Sequence, residues 1–385
     1  MFFGSPAGIL RPFNSIKGGR TVDPDPKEPL SASDPTGSWG LHRELKAASA
    51  VATFAESPPA QGVRPVVEAT TRKKAQPAKG RIIAVGGGKG GVGKSFVTSS
   101  LGISIARHGK KVVVIDADLG GANLHTCFGL SAPSLTLSDF ISRRVESIDD
   151  VILETGVKNL RLISGAHDHL AASNLKYTQK LRLLSHIATV DADFILLDIG
   201  AGISFNIVDF FLIAEQGLLV VIPEPSSIEN AYRFLKMSFY RHLWRALKSS
   251  PSRKVVEEAM DQKNSDGIRT PIDLLDAVER RDSATGRYLK ERALSFRPRL
   301  LINQVRYPED ERLGASMASV CRRHLGIDIE AIGTVCFDES VWKANRKRRP
   351  FMLDSPESAA GSSLDLVAQA LMFGSRTSAR LERQN

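Results

Sequence analysis

The stretch Gly86-Gly87-Gly88-Lys89-Gly90-Gly91-Val92-Gly93-Lys94-Ser95 is the part of this chain best equipped for chemistry. Gly88, Gly93, Lys94 and Ser95 stand at the spacing G-x-x-x-x-G-K-[ST]. Glycines let the backbone fold into a nest of N–H groups that surrounds phosphate oxygens. In such a loop Lys94 bridges the β- and γ-phosphates, and the Ser95 hydroxyl ligates Mg²⁺. Residues 88–95, with Phe96 just beyond, are the candidate nucleotide-binding set. A second lysine, Lys89, directly follows the first required glycine. One lysine suffices for a nucleotide's own β- and γ-phosphates. The extra one has no local task, which points to a target elsewhere.

Two carboxylate groups follow. The apolar run Val112-Val113-Val114-Ile115 ends in Asp116-Ala117-Asp118-Leu119-Gly120-Gly121. Carboxylates at i and i+2 where a buried strand exits can face one polar cavity. The run Phe194-Ile195-Leu196-Leu197 ends in Asp198-Ile199-Gly200-Ala201-Gly202. This pattern suits delivery of one aspartate to a Mg²⁺ shell, with glycines behind it that sense the γ-phosphate. Any one of these aspartates, taken alone, reads as a turn or helix cap. Three such pieces in order after a phosphate loop converge on a nucleotide site.

The elements that must position them are legible. Arg81-Ile82-Ile83-Ala84-Val85 reads as a buried strand, and Ser95 to His108 as a helix closed by Gly109. Apolar runs recur at 112–115, 160–163, 194–197, 218–222 and 300–302, separated by helical lengths. Such strands are buried on both faces, which predicts an α/β fold of three layers: a mainly parallel sheet with helices on both sides. Ligands of open α/β sheets bind at the carboxyl ends of the strands.

With 385 residues, 42% of them hydrophobic, the chain can bury a large core. Its formal net charge of +10 permits contact with nucleic acid or an acidic membrane. Cys127, Cys321 and Cys336 form no C-x-x-C pair, which argues against a disulfide framework, a zinc site or an iron–sulfur site. No run approaches the roughly 18 apolar residues of a membrane span, and Met1-Phe2-Phe3-Gly4-Ser5-Pro6 makes a poor signal peptide. Residues 1–78 read as a disordered tail with one short helical stretch at Leu41–Ala55. The Arg72-Lys73-Lys74 run there reads as solvated linker or as a nucleic-acid arm. Residues 79–385 form the folded domain.

Taken together, Lys89 with Lys94, Asp116-x-Asp118 and Asp198-x-Gly200-x-Gly202 resemble the MinD/ParA family of deviant Walker A P-loop ATPases. The resemblance covers about residues 81–372. Four stretches are most similar to the FlhG/FleN group of flagellar-number regulators: 116–123, 198–203, Pro223-Glu224-Pro225-Ser226-Ser227-Ile228 with Ala231-Tyr232, and Phe337-Asp338-Glu339-Ser340-Val341 through Arg349-Pro350. The resemblance implies a homodimer that sandwiches two ATP molecules, with Lys89 reaching the partner's nucleotide. It implies that Asp118 orients or activates the attacking water, that Asp116 supports the Mg²⁺ shell, and that Ser95 and Asp198 hold the metal. Asn303 would hydrogen-bond the adenine, and the turn at Pro223 would border it. Hydrolysis of this kind is positioning plus charge neutralisation, so the implied turnover is slow without a partner. The implied role is spatial regulation, of flagella or of cell division, by a cytoplasmic protein that can lie peripherally at the inner membrane or cell pole. The alternatives are a ParA-like DNA-partitioning ATPase and a nucleotide-gated adaptor controlling a transcription factor.

Some features depart from the pattern. Residues 243–296 read as a helical insertion, with helices at Val255–Met260, Ile272–Arg280 and Tyr288–Leu294. It serves either as a surface outcrop or as a partner-binding arm. The Asp-Gln-Ala motif of some FlhG relatives is missing from residues 1–80. Near the end, Leu364, Val367, Leu371 and Met372 make one apolar stripe, which packs on the domain or touches a membrane weakly. Lys343, Arg346, Lys347, Arg348 and Arg349 suggest a DNA contact, or belong to the fold.

Overall fold

Alternate residues of a strand face opposite ways. Strand β1 (Arg81–Gly87) sends Ile82 and Ala84 into one core, and Ile83 and Val85 into another. In β2 (Val112–Asp116), Val113 and Ile115 divide from Val112 and Val114 in the same way. A sheet that is apolar on both faces needs helices on both. The computed structural model describes residues 80–165, 177–247, 253–260, 268 and 270–374. The N-terminal tail, with its expected helix at Leu41–Ala55, lies outside the described residues.

Six further strands complete the sheet: β3 (Ile152–Glu154), β4 (Leu160–Ile163), β5 (Phe194–Ala201), β6 (Gln216–Val221), β7 (Arg299–Val305) and β8 (Glu330–Cys336). Their order is β3-β4-β2-β5-β1-β6-β7-β8. All neighbours pair in parallel except β3 with β4. The two strands without a sequence signal are the edges. At three residues β3 is too short to show a run, and β8 interrupts its apolar residues with Gly333 and Thr334.

The helices, in chain order, are α1 (Lys94–Arg107), α2 (Leu124–Cys127), α3 (Leu137–Ile141), α4 (Tyr177–Ile187), α5 (Phe205–Ile213), α6 (Pro225–Ala246), α7 (Arg253–Met260), α8 (Pro271–Arg281), α9 (Ser283–Leu294), α10 (Leu313–Val320), α11 (Glu339–Arg346), α12 (Phe351–Asp354) and α13 (Ala359–Phe373). Helices α1 and α13 cover one face of the sheet, and α4, α5 and α6 the other. The expected stripe of α13 is its buried face: Leu364, Val367, Leu371 and Met372 are each at most 2% exposed. Each such side chain contributes roughly 1.5–3 kcal/mol by burial. The last carbonyls of α13 lack helical partners, as at any helix end. Arg81 donates to those of Leu371 and Met372; the Ala370 carbonyl, already met by the Gly374 N–H, also accepts from Arg299. The stripe therefore packs on the domain.

Helix α6 continues to Ala246, so the irregular stretch begins inside a helix rather than after one. Helices α7, α8 and α9 then form an outcrop over the α6 face. Arg241 of α6 holds the buried Asp209 of α5 through two hydrogen bonds, at 2.9 and 3.1 Å. Its guanidinium also stacks on Trp244, whose other contacts are the Arg253 guanidinium and the Glu257 carboxylate of α7. A continuous stack thus ties the outcrop to the core helices.

Candidate nucleotide-binding site

The phosphate loop spans residues 88–93, between the end of β1 and the start of α1. Gly93 caps α1 in the left-handed region, with φ +90°, and leaves the first turn's N–H groups facing the loop. Such a helix start favours an anion by its dipole and its free donors. Gly88 is needed for space: a Cβ there would collide with the Asn230 carbonyl of α6. The loop is thereby keyed to α6 at its first glycine and to α1 at its last.

Parallel pairing of β2 and β5 brings Asp116 beside Asp198, in register. Both are nearly inaccessible, at 1% and 3% exposure. The Asp116 carboxylate accepts from the backbone N–H of Asp118 at 3.1 Å and of Leu124 at 3.0 Å. Thr98 of α1 donates to Asp198 at 3.3 Å, and Ser95 also hydrogen-bonds it. Burial, then the neighbouring Asp198, pushes the Asp116 pKa up to about 7. Burial pushes Asp198 up to about 6, against the pull of Ser95 and Lys94. Burial lowers the pKa of Lys94, and Asp198 and then Asp118 push back. The centre thus brings Lys94, Ser95, Asp116, Asp118 and Asp198 together.

Burying these carboxylates has a cost in the ligand-free protein, and its sign follows from linkage. Unfolded, Asp116 releases its proton near 3.8; folded, it keeps it to about 7. Stability of the ligand-free protein therefore falls as pH rises through that window. Asp116→Asn is expected to remove most of the fall, so that its melting temperature gains on wild type between pH 5.5 and 8. Parallel melting curves across that range would refute the assignment.

The oxygen-rich donor set suits a hard cation such as Mg²⁺. Among the described residues, no group of three or more His, Cys, Asp or Glu side chains is placed to hold a metal ion. Mg²⁺ is usually bound by one or two carboxylates together with substrate phosphates and water. A cation at Ser95 and Asp198 would offset the burial that raises both carboxylate pKa values.

The remaining predicted residues lie around this centre. The Lys89 ammonium lies on the α6 side, bonded to Glu224 at 3.1 Å and to Ser226 at 2.9 Å. Its side chain is 38% exposed. Pro223 belongs to the turn between β6 and α6, next to Glu224, which caps α6, while Ser226 lies in the first turn of that helix. Gly90 and Gly91 are open, with nothing within 4 Å of an added Cβ. Val92 is buried, and Phe96 packs edge-on against Phe351 of α12. Asn303, on β7, is 2% exposed and bonds the loop itself.

Sequence reasoning missed a cleft of about 420 Å³ at the ends of β7 and β8, lined by Val305, Arg306, Tyr307, Pro308, Glu311, Cys336 and Phe337. Arg306 lies 3.5 Å over the Phe337 ring, a flat cationic platform of the kind that stacks on a base. Pro223 does not line it. The signal was an aromatic residue within two positions of each strand's end, Tyr307 after β7 and Phe337 after β8. Most of the basic run near 343–349 is engaged in local pairs at the surface. Lys343 pairs with Glu339, Lys347 and Arg349 pair with Asp354, and Arg346 stacks on Trp342.

A phosphate loop between the central strand and its helix, with two buried strand-end aspartates beside it, defines a P-loop nucleotide-binding protein. The AAA domain model matches residues 80–242. The antiactivator FleN of Pseudomonas aeruginosa PAO1 is 30% identical over 291 residues, covering 75% of this chain and 85% of FleN. The septum site-determining protein MinD of Helicobacter pylori 26695 is 33% identical over 153 residues, spanning 40% of this chain and only 56% of that protein. Among solved structures, MinD of Pyrococcus horikoshii OT3, complexed with Mg-ADP, superposes with a TM-score of 0.53 at 20% identity, over 77% of this chain and 98% of that one. The chain belongs to the MinD/ParA family of P-loop ATPases and is similar to FleN. Among the described residues, no helix is long and apolar enough to cross a membrane.

Proposed function

We propose that this protein binds Mg-ATP, hydrolyses it slowly, and uses it to form a homodimer that acts as a switch in spatial regulation, of flagella or of cell division. The observation that carries the reading is the position of Lys89. Its ammonium sits at the mouth of the loop on Glu224 and Ser226, while Lys94 is the lysine among the buried carboxylates. In the dimer Lys89 leaves those partners and meets the second subunit's phosphates. Two subunits then hold together only while triphosphate is present. The adenine lies in the cleft beside Arg306 and Phe337, and Ser95 with Asp198 holds the metal against the phosphates.

Hydrolysis releases the dimer, and the protein partner it engages sets the rate. The name of the similar relative, an antiactivator, favours the version in which that partner is a transcriptional activator. The α7–α9 outcrop is the part of the chain we assign to partner contact. The test is Lys89→Ala, followed by light scattering with and without Mg-ATP. The variant is expected to bind ATP within about threefold of wild type and to remain monomeric when ATP is added. A variant that dimerises as wild type does would sink the cross-subunit role.

A further inference from the structure

Asn303 has a partner that its place at a strand end does not suggest. Its side-chain nitrogen donates to the Val92 carbonyl at 2.9 Å, joining positions 211 residues apart in a buried bond. A carbonyl only accepts, so the group facing it must be the amide NH₂. Among the described residues, this is the one side-chain hydrogen bond to the backbone of residues 88–93. Gly93 is shaped to receive it: a Cβ there would overlap the Asn303 nitrogen.

The consequence lies in which way the loop's peptide groups point. A nest binds phosphate only when its N–H groups converge and its carbonyls turn away. The Val92 carbonyl is turned away, onto Asn303. A buried carbonyl left without a donor is unfavourable, so without Asn303 that peptide would rotate toward water or toward the phosphates. An oxygen directed at phosphate repels it. We propose that Asn303 is a positioning residue for the phosphate loop, which sets the loop in its phosphate-binding form whether or not a base is present. This rests on the nucleotide-site reading above and adds to the base contact drawn from the family resemblance. The amide keeps a second N–H and its oxygen for that contact.

Binding of Mg-ATP and of Mg-tripolyphosphate, which has neither base nor ribose, separates the two roles. Calorimetry on the full chain is expected to show both ligands weakened by about the same factor in Asn303→Ala, roughly tenfold for one lost buried hydrogen bond. Asn303→Asp presents an acceptor to the Val92 carbonyl at nearly constant volume, and is expected to weaken both at least as much. A larger loss for ATP than for tripolyphosphate adds a base contact and leaves the loop role standing. Loss for ATP with tripolyphosphate binding unchanged makes Asn303 a base reader only and overturns the proposal. Wild-type protein that binds neither ligand refutes the nucleotide site itself, which is a different failure. Amide hydrogen exchange in ligand-free protein gives a readout without any ligand. In Asn303→Asp, exchange of residues 88–95 is expected to rise at least fivefold while the interior of α1 stays protected. Unchanged loop exchange overturns the proposal, and loss of protection in α1 as well marks a folding role instead and overturns it equally.

Discussion

Lys94→Ala is expected to weaken ATP binding by roughly 100- to 10,000-fold. Hydrogen bonds to charged groups are worth about 1.5–3 kcal/mol each, and each 1.4 kcal/mol is tenfold in affinity. Two such bonds to the β- and γ-phosphates give an effect of this size. The environment of Lys94 makes the loss hard to compensate. Burial lowers its pKa, and the carboxylates of Asp198 and Asp118 act against that shift. Removing the ammonium takes away the half-buried cation that opposes the raised pKa of Asp198, so the site also becomes less hospitable to a triphosphate. Lys94→Met controls for volume and is expected to lose as much affinity. Titration of a fluorescent ATP analogue measures it. Affinity within threefold of wild type in either variant would remove Lys94 from the phosphate site.

The contrast between Lys94 and Lys89 explains which parts of the site were legible in the sequence. Lys94, Ser95, Asp116, Asp118 and Asp198 sit at fixed offsets from the ends of buried apolar strands. A buried run has only one way to deliver its last residue, so strand pattern and register place these groups. Lys89 is different. Its type and spacing flagged it as surplus, but its contacts with Glu224 and Ser226 depend on where α6 begins, which strand patterns do not specify. Asn303 and the Arg306–Phe337 cleft depend on β7 lying two strands from β1 and on β8 closing the edge. Strand order across a parallel sheet is set by crossover helices packing over both faces, and local sequence carries little of it. The outcrop was readable as helices, because α8 and α9 have periodic apolar faces. Its attachment was not, since Asp209 and Arg241 stand 32 residues apart and meet only once α5 and α6 pack.

Asp118→Ala is expected to lower ATP turnover by at least about 100-fold while leaving nucleotide binding nearly intact, and so to accumulate the ATP-bound dimer. Phosphoryl transfer to water asks the protein mainly to place the nucleophile and to stabilise charge, and a positioned base contributes roughly 100- to 10,000-fold. Asp118 is well placed for that task. It is half-buried and follows the buried Asp116 by two residues. Its carboxylate accepts from the Gly120 N–H at 3.3 Å, which fixes its direction. It faces the end of β5: a Cβ at Gly200 would stand 3.1 Å from the Asp118 oxygen. That spacing leaves room for the carboxylate only because residue 200 has no side chain. Gly200→Ala is therefore the matched disturbance, expected to slow turnover by displacing Asp118 while every carboxylate is retained. Single-turnover phosphate release and light scattering measure the two halves of the expectation. Phosphate release within threefold of wild type in Asp118→Ala would exclude it as the water-positioning residue. Slow release without dimer accumulation would separate hydrolysis from dissociation and break the switch cycle at that step.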